Sequence, residues 1–258
     1  MGLTRRSFLG ALALAPVAVA CAKQSTVGAP TYLTSAQGMA GIPSLPMLLA
    51  QHSSRDVDRI TTRLRAVLAP LEQERRALLD VLADGALAGK IDKPACDAAI
   101  EKIEAAGDKA APALRDAVLE LHRSLEKKER ARTVDAVAQR LGTVDDEPEW
   151  IRNEEFRVTA AELELRGAKQ WSAMRRNDEV ARRYRSPLTN PTPLRKTLTA
   201  FEESDGEEAA WLVAKQTIAD AVGWAKRMVD LVEDMIVDLD PAERGRLANW
   251  LRSSRDEI

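Results

Sequence analysis

Four side chains in this sequence could act as soft metal ligands or nucleophiles: His52, His122, Cys21 and Cys96. Zinc and copper sites draw on several such residues at local spacing, and these four are scattered. His122 follows Leu121 and reads as a helix-face residue. It is the one metal candidate, and it needs a second copy of the chain to complete a ligand set. Cys96, between Ala95 and Asp97 in a helical pattern, reads as a buried small residue; a free thiol and a bridge between two subunits are the alternatives. Met174, Met228 and Met235 occupy scattered helical positions and read as packing. No phosphate-cradling glycine loop, nucleophile elbow or paired-cysteine motif occurs. Carboxylates are plentiful, but a pair such as Glu154 and Glu155 points in two directions when adjacent on a helix. Neither an enzyme nor a cofactor is expected.

Cys21 has a different chemistry open to it. The chain begins with Arg5-Arg6, continues through an apolar run from Ala11 to Ala20, and reaches Cys21. A basic start, a short apolar stretch and small residues before a processing point make a signal peptide; the run is too short for a spanning helix. Thr4-Arg5-Arg6-Ser7-Phe8-Leu9 resembles the twin-arginine export signal, an address read by a receptor. Ala18-Val19-Ala20-Cys21 resembles a bacterial lipobox, in which the cysteine becomes the acylated first residue. Ala18-Val19-Ala20 fits an Ala-x-Ala cleavage site equally well. The lipobox reading predicts a lipoprotein held at a membrane by palmitate-type chains. Either reading places the chain in the periplasm or cell envelope.

Loss of residues 1–20 removes two arginines and no acids, leaving 36 basic and 40 acidic side chains and a net charge of -4. That balance argues against non-specific nucleic-acid binding, which needs a positive field. Residues 21–54, rich in Gly, Pro, Ser and Thr, read as a flexible tether. From Arg55 the pattern changes: Ile60, Leu64, Val67, Leu68, Leu71, Leu78, Leu79 and Leu82 recur at three- and four-residue steps, an apolar helical stripe. Asp84-Gly85 and Gly89-Lys90 break or kink it. Asp92-Lys93-Pro94 then opens a second helix, with aspartate as N-cap, and this helix is expected to continue through Leu125 towards Leu141 with a bend at Pro112. A less regular helical stretch follows, anchored by Trp150, Phe156 and Trp171. The proline-rich connector 186–193 leads to runs over 194–203 and 206–237, and Asp240-Pro241 opens a terminal helix.

Almost nothing reads as strand. The expected fold is all-α: long antiparallel amphipathic helices in an elongated hairpin or bundle, since such helices cannot bury their stripes alone. The expected organisation is a signal peptide over 1–20, the tether over 21–54, a helical unit over 55–141, a helical and proline-rich connector over 142–195, and a second helical unit over 196–258.

One pattern occurs twice. Leu125 precedes Glu129-Arg130 by four and five residues, and Leu239 precedes Glu243-Arg244 by the same interval. Asp240, Pro241 and Glu243 are placed as N-cap, first turn and capping-box acid; Ser124 is expected to cap the first copy. These motifs resemble the Leu-Thr-Pro-Glu-Gln-Arg signature of the periplasmic Spy/CpxP-type stress proteins and the related heavy-metal-resistance proteins. Leu239-Asp240-Pro241-Ala242-Glu243-Arg244 matches it with aspartate for threonine and glutamate for glutamine, and Leu125 to Arg130 matches more loosely. The resemblance implies helices that dimerise into a shallow cradle. It also implies protein clients or an envelope sensor as partners, a homodimer, and in some members a metal response.

Overall fold

The structure is a computed structural model in which residues 57–135, 163–183, 192–203 and 206–255 are described. It is all-α, with no β-strand among the described residues. The helices are α1 (Val57–Ala88), α2 (Lys93–Ser124), α3 (127–135 as described), α4 (Ala168–Arg183), α5 (Thr192–Glu202), α6 (Gly206–Ile236) and α7 (Pro241–Arg255).

The helix ends follow from local chemistry. α1 runs through Gly85 and stops at Gly89, whose φ of +70° suits a residue without Cβ. There the Gly89 N–H donates to the Ala86 carbonyl and the Lys90 N–H to the Gly85 carbonyl, at 3.2 and 3.0 Å. This is the paired bonding of a glycine-terminated helix. Asp92 restarts the chain as N-cap, its Oδ1 accepting the Ala95 N–H at 3.1 Å, with Pro94 in the first turn.

α2 does not continue into the next helical run, as its apolar spacing had suggested. Leu125 turns extended (φ −103°, ψ 133°) and α3 begins afresh. Ser124 is not the cap of α3 either, because its hydroxyl donates back to the Leu121 carbonyl at 2.8 Å.

The apolar stripes meet in one core. α2 packs on both α1 and α6, α7 packs on α1, and α4 and α5 pack on α6. Ile60, Leu64, Leu78 and Leu82 of α1, Ile103, Leu114 and Leu121 of α2, and Met228 of α6 are fully enclosed. The start of α2 meets the end of α6 through Lys93–Glu233 at 2.9 Å. The end of α2 meets the start of α6 where His122 lies against Gly206. Between these points Gly107 lies against the Ile218 side chain, and a Cβ on it would stand 2.9 Å from Ile218 Cγ2.

A fixed offset links α2–α3 to α6–α7: 114 residues, the distance from Leu125 to Leu239. Of the eleven buried residues of α2, all but Leu119 fall on buried residues of α6 under this shift, including Ile103 on Thr217, Gly107 on Ala221 and Leu114 on Met228. Thr133 and Val134 fall on Leu247 and Ala248, all four buried. The same shift carries α1 onto residues 171–202, the span of α4 and α5.

The expectation of a membrane-held lipoprotein is corrected: among the described residues no helix is long and apolar enough to cross a membrane. Membrane and palmitate attachment are therefore dropped from the functional reading. Cys21, Arg5, Arg6, Phe8 and Leu9 lie outside the described residues, as do the tether, the run 136–162 and most of the proline-rich connector.

Gly89→Ala is expected to destabilise the fold. The positive φ disfavours a side chain by about 1 kcal/mol, and the Arg244 guanidinium already occupies the space a Cβ would need. Urea denaturation followed by circular dichroism checks this; an unchanged midpoint would contradict the turn geometry.

Candidate functional site

The two Leu-Glu-Arg motifs sit at helix starts, where four main-chain N–H groups lack helical acceptors. In the first, Glu129 Oε2 accepts the Glu126 N–H at 2.9 Å. In the second, Glu243 Oε2 accepts the Asp240 N–H at 2.8 Å. The N–H groups of Arg130 and Arg244 donate to the carbonyls of Glu126 and Asp240, both at 2.9 Å. Leu125 and Leu239 are both buried. The motifs therefore do the same local work: an acid caps the new helix while a leucine plugs the turn into the core.

Their arginines diverge. Arg130 Nη1 donates to the carbonyls of Leu125 and His122 at 2.8 and 3.4 Å, closing the end of α2. Arg244 instead reaches the α1–α2 turn and lies against Gly89. Its Nε is buried without a hydrogen-bond partner.

The second motif also gathers charge. Lys169 of α4 donates to Glu243 at 2.6 Å and to Asp240 at 3.4 Å. The bond to Glu243, followed by that to Asp240, raises the lysine's pKa despite partial desolvation. Main-chain donation from Glu243, assisted by Lys169, holds Asp240 below the usual carboxylate range. Asp238 is lowered by Ser172 and then by Arg176, each 2.8 Å away. Pro241 stands in the first turn of α7, where its missing N–H leaves nothing unsatisfied.

His122 packs between helices. Its Nε2 is 3.1 Å from the Glu203 carbonyl, its ring meets Phe201 edge-on at 5.4 Å, and a Cβ on Gly206 would stand 2.6 Å from its Nδ1. Among the described residues no group of three or more His, Cys, Asp and Glu side chains is placed to hold a metal. Cys96 is buried and has its thiol pushed up to about 11, chiefly by desolvation and then by Asp97. The deprotonated form needed for disulfide chemistry is thus disfavoured. Met228 and Met235 are core residues, and Met174 packs partly buried against the core.

Two features escaped sequence reasoning. The first is a buried cation: Arg75 stands at a stripe position of α1, four residues after Leu71, and its guanidinium lies 4.2 Å from the Trp224 ring centroid. One of its nitrogens donates to both Glu72 oxygens at 2.8 and 3.0 Å. Burial lowers the pKa of Arg75, against the pull of Glu72; it also lowers that of Arg227, with Arg75 adding to the effect. The signal in the sequence was an arginine where the stripe calls for an apolar residue. A cation on an indole face, paired with a carboxylate, offsets part of the desolvation cost.

The second is an open groove of about 860 Å³ where the α1–α2 turn meets the end of α6. Ile91, Pro94, Ile236 and Val237 supply apolar walls, while Lys90 and Lys93 are matched by Asp92 and Glu233. Val237 is 72% exposed. The walls come from segments some 140 residues apart in the sequence, so no local pattern announced it.

Asp220 is a half-buried carboxyl on α6 that accepts from Gln216 Nε2 at 2.7 Å. Burial pushes it up to about 7, and the Gln216 bond only partly opposes this. Its folded pKa exceeds the unfolded value of about 3.9. The stabilisation is therefore complete below about pH 4 and is lost as pH rises through 7, by up to about 1.4 kcal/mol per pH unit. Asp238 and Asp240 act in the opposite sense and only in acid, as pH falls through their lowered values. Asp220→Asn is expected to flatten the pH 5–8 part of the stability profile and to raise stability at pH 8. Denaturation midpoints across that range test it, and an unaltered slope would count against a carboxyl titrating there.

Compared with known proteins, the chain matches no family model, no curated protein and no solved structure.

Proposed function

We propose that this chain is an exported envelope-stress protein that binds unfolded segments or partner proteins, with a chaperone-like or sensory action. In this reading the long helices form an elongated antiparallel bundle of two divergent units, and the groove beside the α1–α2 turn is the binding surface. That groove carries the proposal, because it combines apolar walls with charged groups at its edge and includes the largely exposed Val237. Such mixed, concave surfaces suit polypeptide better than a small polar metabolite. The likeness of Leu239–Arg244 to the Spy/CpxP signature and the Arg5-Arg6 export signal support the same reading. The motif residues themselves position helices.

Two measurements test this. The purified full chain, added at stoichiometric ratio to an aggregating reduced client, is expected to suppress light scattering; unchanged scattering would sink the client-binding reading. Replacing Arg5 and Arg6 together by lysine is expected to leave the precursor in the cytoplasm on cell fractionation, and normal export of that variant would remove the envelope assignment.

A further inference from the structure

One helix is held to the body by charge more than by an apolar stripe. Among the described side chains of α4 only Ala173 and Val180 are buried, with Met174 partly so, and Trp171 stands 71% exposed. The helix carries five basic and two acidic side chains. Lys169 donates to Glu243 at 2.6 Å and to Asp240 at 3.4 Å. Ser172 and Arg176 both donate to Asp238 at 2.8 Å, and Arg183 donates to Asp230 at 2.7 Å. Residues 230–243, which hold these acceptors at the end of α6 and the start of α7, carry six acids and no lysine or arginine. In each ion pair one member stays open to solvent: Lys169, Asp238 or Arg183. The approach to α4 divides into an anchor and a pivot. Leu163 and Leu165 are buried, and the Leu163 carbonyl accepts from Arg246 Nε at 2.8 Å. Gly167, at φ +58°, has open space where a Cβ would project, so the chain turns there without a steric cost.

We propose that α4 is an ionic strap: it undocks from α6 as ionic strength rises, while Leu163 and Leu165 hold its root and the other helices stay folded. Ion pairs open to water are individually weak, and salt weakens them further. The Debye length falls from about 10 Å at 0.1 M salt to about 3 Å at 1 M. Apolar burial, which joins α1, α2 and α6, is not screened in this way. Once loose, a helix as short as α4 has little stability of its own, so undocking and unwinding go together. The α6 face beneath Ala173 and Val180 is then uncovered, beside the carboxylates that α4 had neutralised. The strap makes ionic strength a stimulus for a change of surface. It goes beyond the client-binding reading and does not depend on it.

The test is hydrogen–deuterium exchange of the full chain, read by mass spectrometry at about 0.05 M and about 1 M NaCl. Amides of α4 are expected to exchange roughly tenfold faster at the higher salt, with those of α2 and α6 unchanged. The double variant Arg176→Gln, Arg183→Gln is expected to show the fast rate in α4 already at low salt and to lose most of the salt response. Both positions lie outside the apolar core, so α2 and α6 should keep their protection in this variant and report that the body is folded. Equal rates in α4 at the two salt concentrations would overturn the proposal. So would an equal acceleration in α2 and α6, because salt would then be loosening the whole body. A double variant that kept both the slow rate and the salt response would overturn the ionic basis of the strap.

Discussion

The close approach of α2 and α6 at Gly107 is the constraint from which the rest of the body is set. A Cβ there would crowd the Ile218 side chain, so the present seating of the two helices depends on that position carrying none. Once they are seated, their ends are brought together in pairs. Lys93 reaches Glu233, His122 reaches Gly206 and the Glu203 carbonyl, and the two capping turns at Glu126 and Asp240 fall at opposite ends of the contact. α1 and α7 then close over the pair, and Arg244 is delivered to the turn at Gly89. Small residues at helix crossings act by letting backbones come near enough for neighbouring large side chains to interlock.

The helix starts were legible because they are written in a few adjacent residues. Asp92-Lys93-Pro94 and Asp240-Pro241 with Glu243 state their caps outright, and the bonds appear where the spacing put them. Leu125 was misread because an apolar residue at helical spacing looks the same whether the helix continues or ends. Only its extended backbone distinguishes the two. Ser124 was a reasonable cap by type, but a serine at the close of a helix can also turn back to its own last carbonyls. Arg75 and the groove were hidden for a common reason. Both depend on what a distant segment brings, Trp224 in one case and Ile236 with Val237 in the other.

The residues most conspicuous in the sequence prove to be structural. Glu129, Arg130 and Glu243 are occupied with main-chain groups or with Lys169, and Leu125 and Leu239 are buried. Their recurrence is accounted for by a repeated helix-end device.

One asymmetry has a bearing on how the chain finds its own partner. The 114-residue offset that sets α2 against α6 in sequence carries the long helix α1 onto residues 171–202, where Pro187 and Pro191 stand opposite Gln73 and Ala77 of α1. Halves built on one pattern invite exchange, with a segment of one molecule docking in the matching place of another. A proline at either position would remove a main-chain donor from the middle of α1, so the two spans cannot trade places and the correct intramolecular arrangement is distinguishable from its swapped rivals.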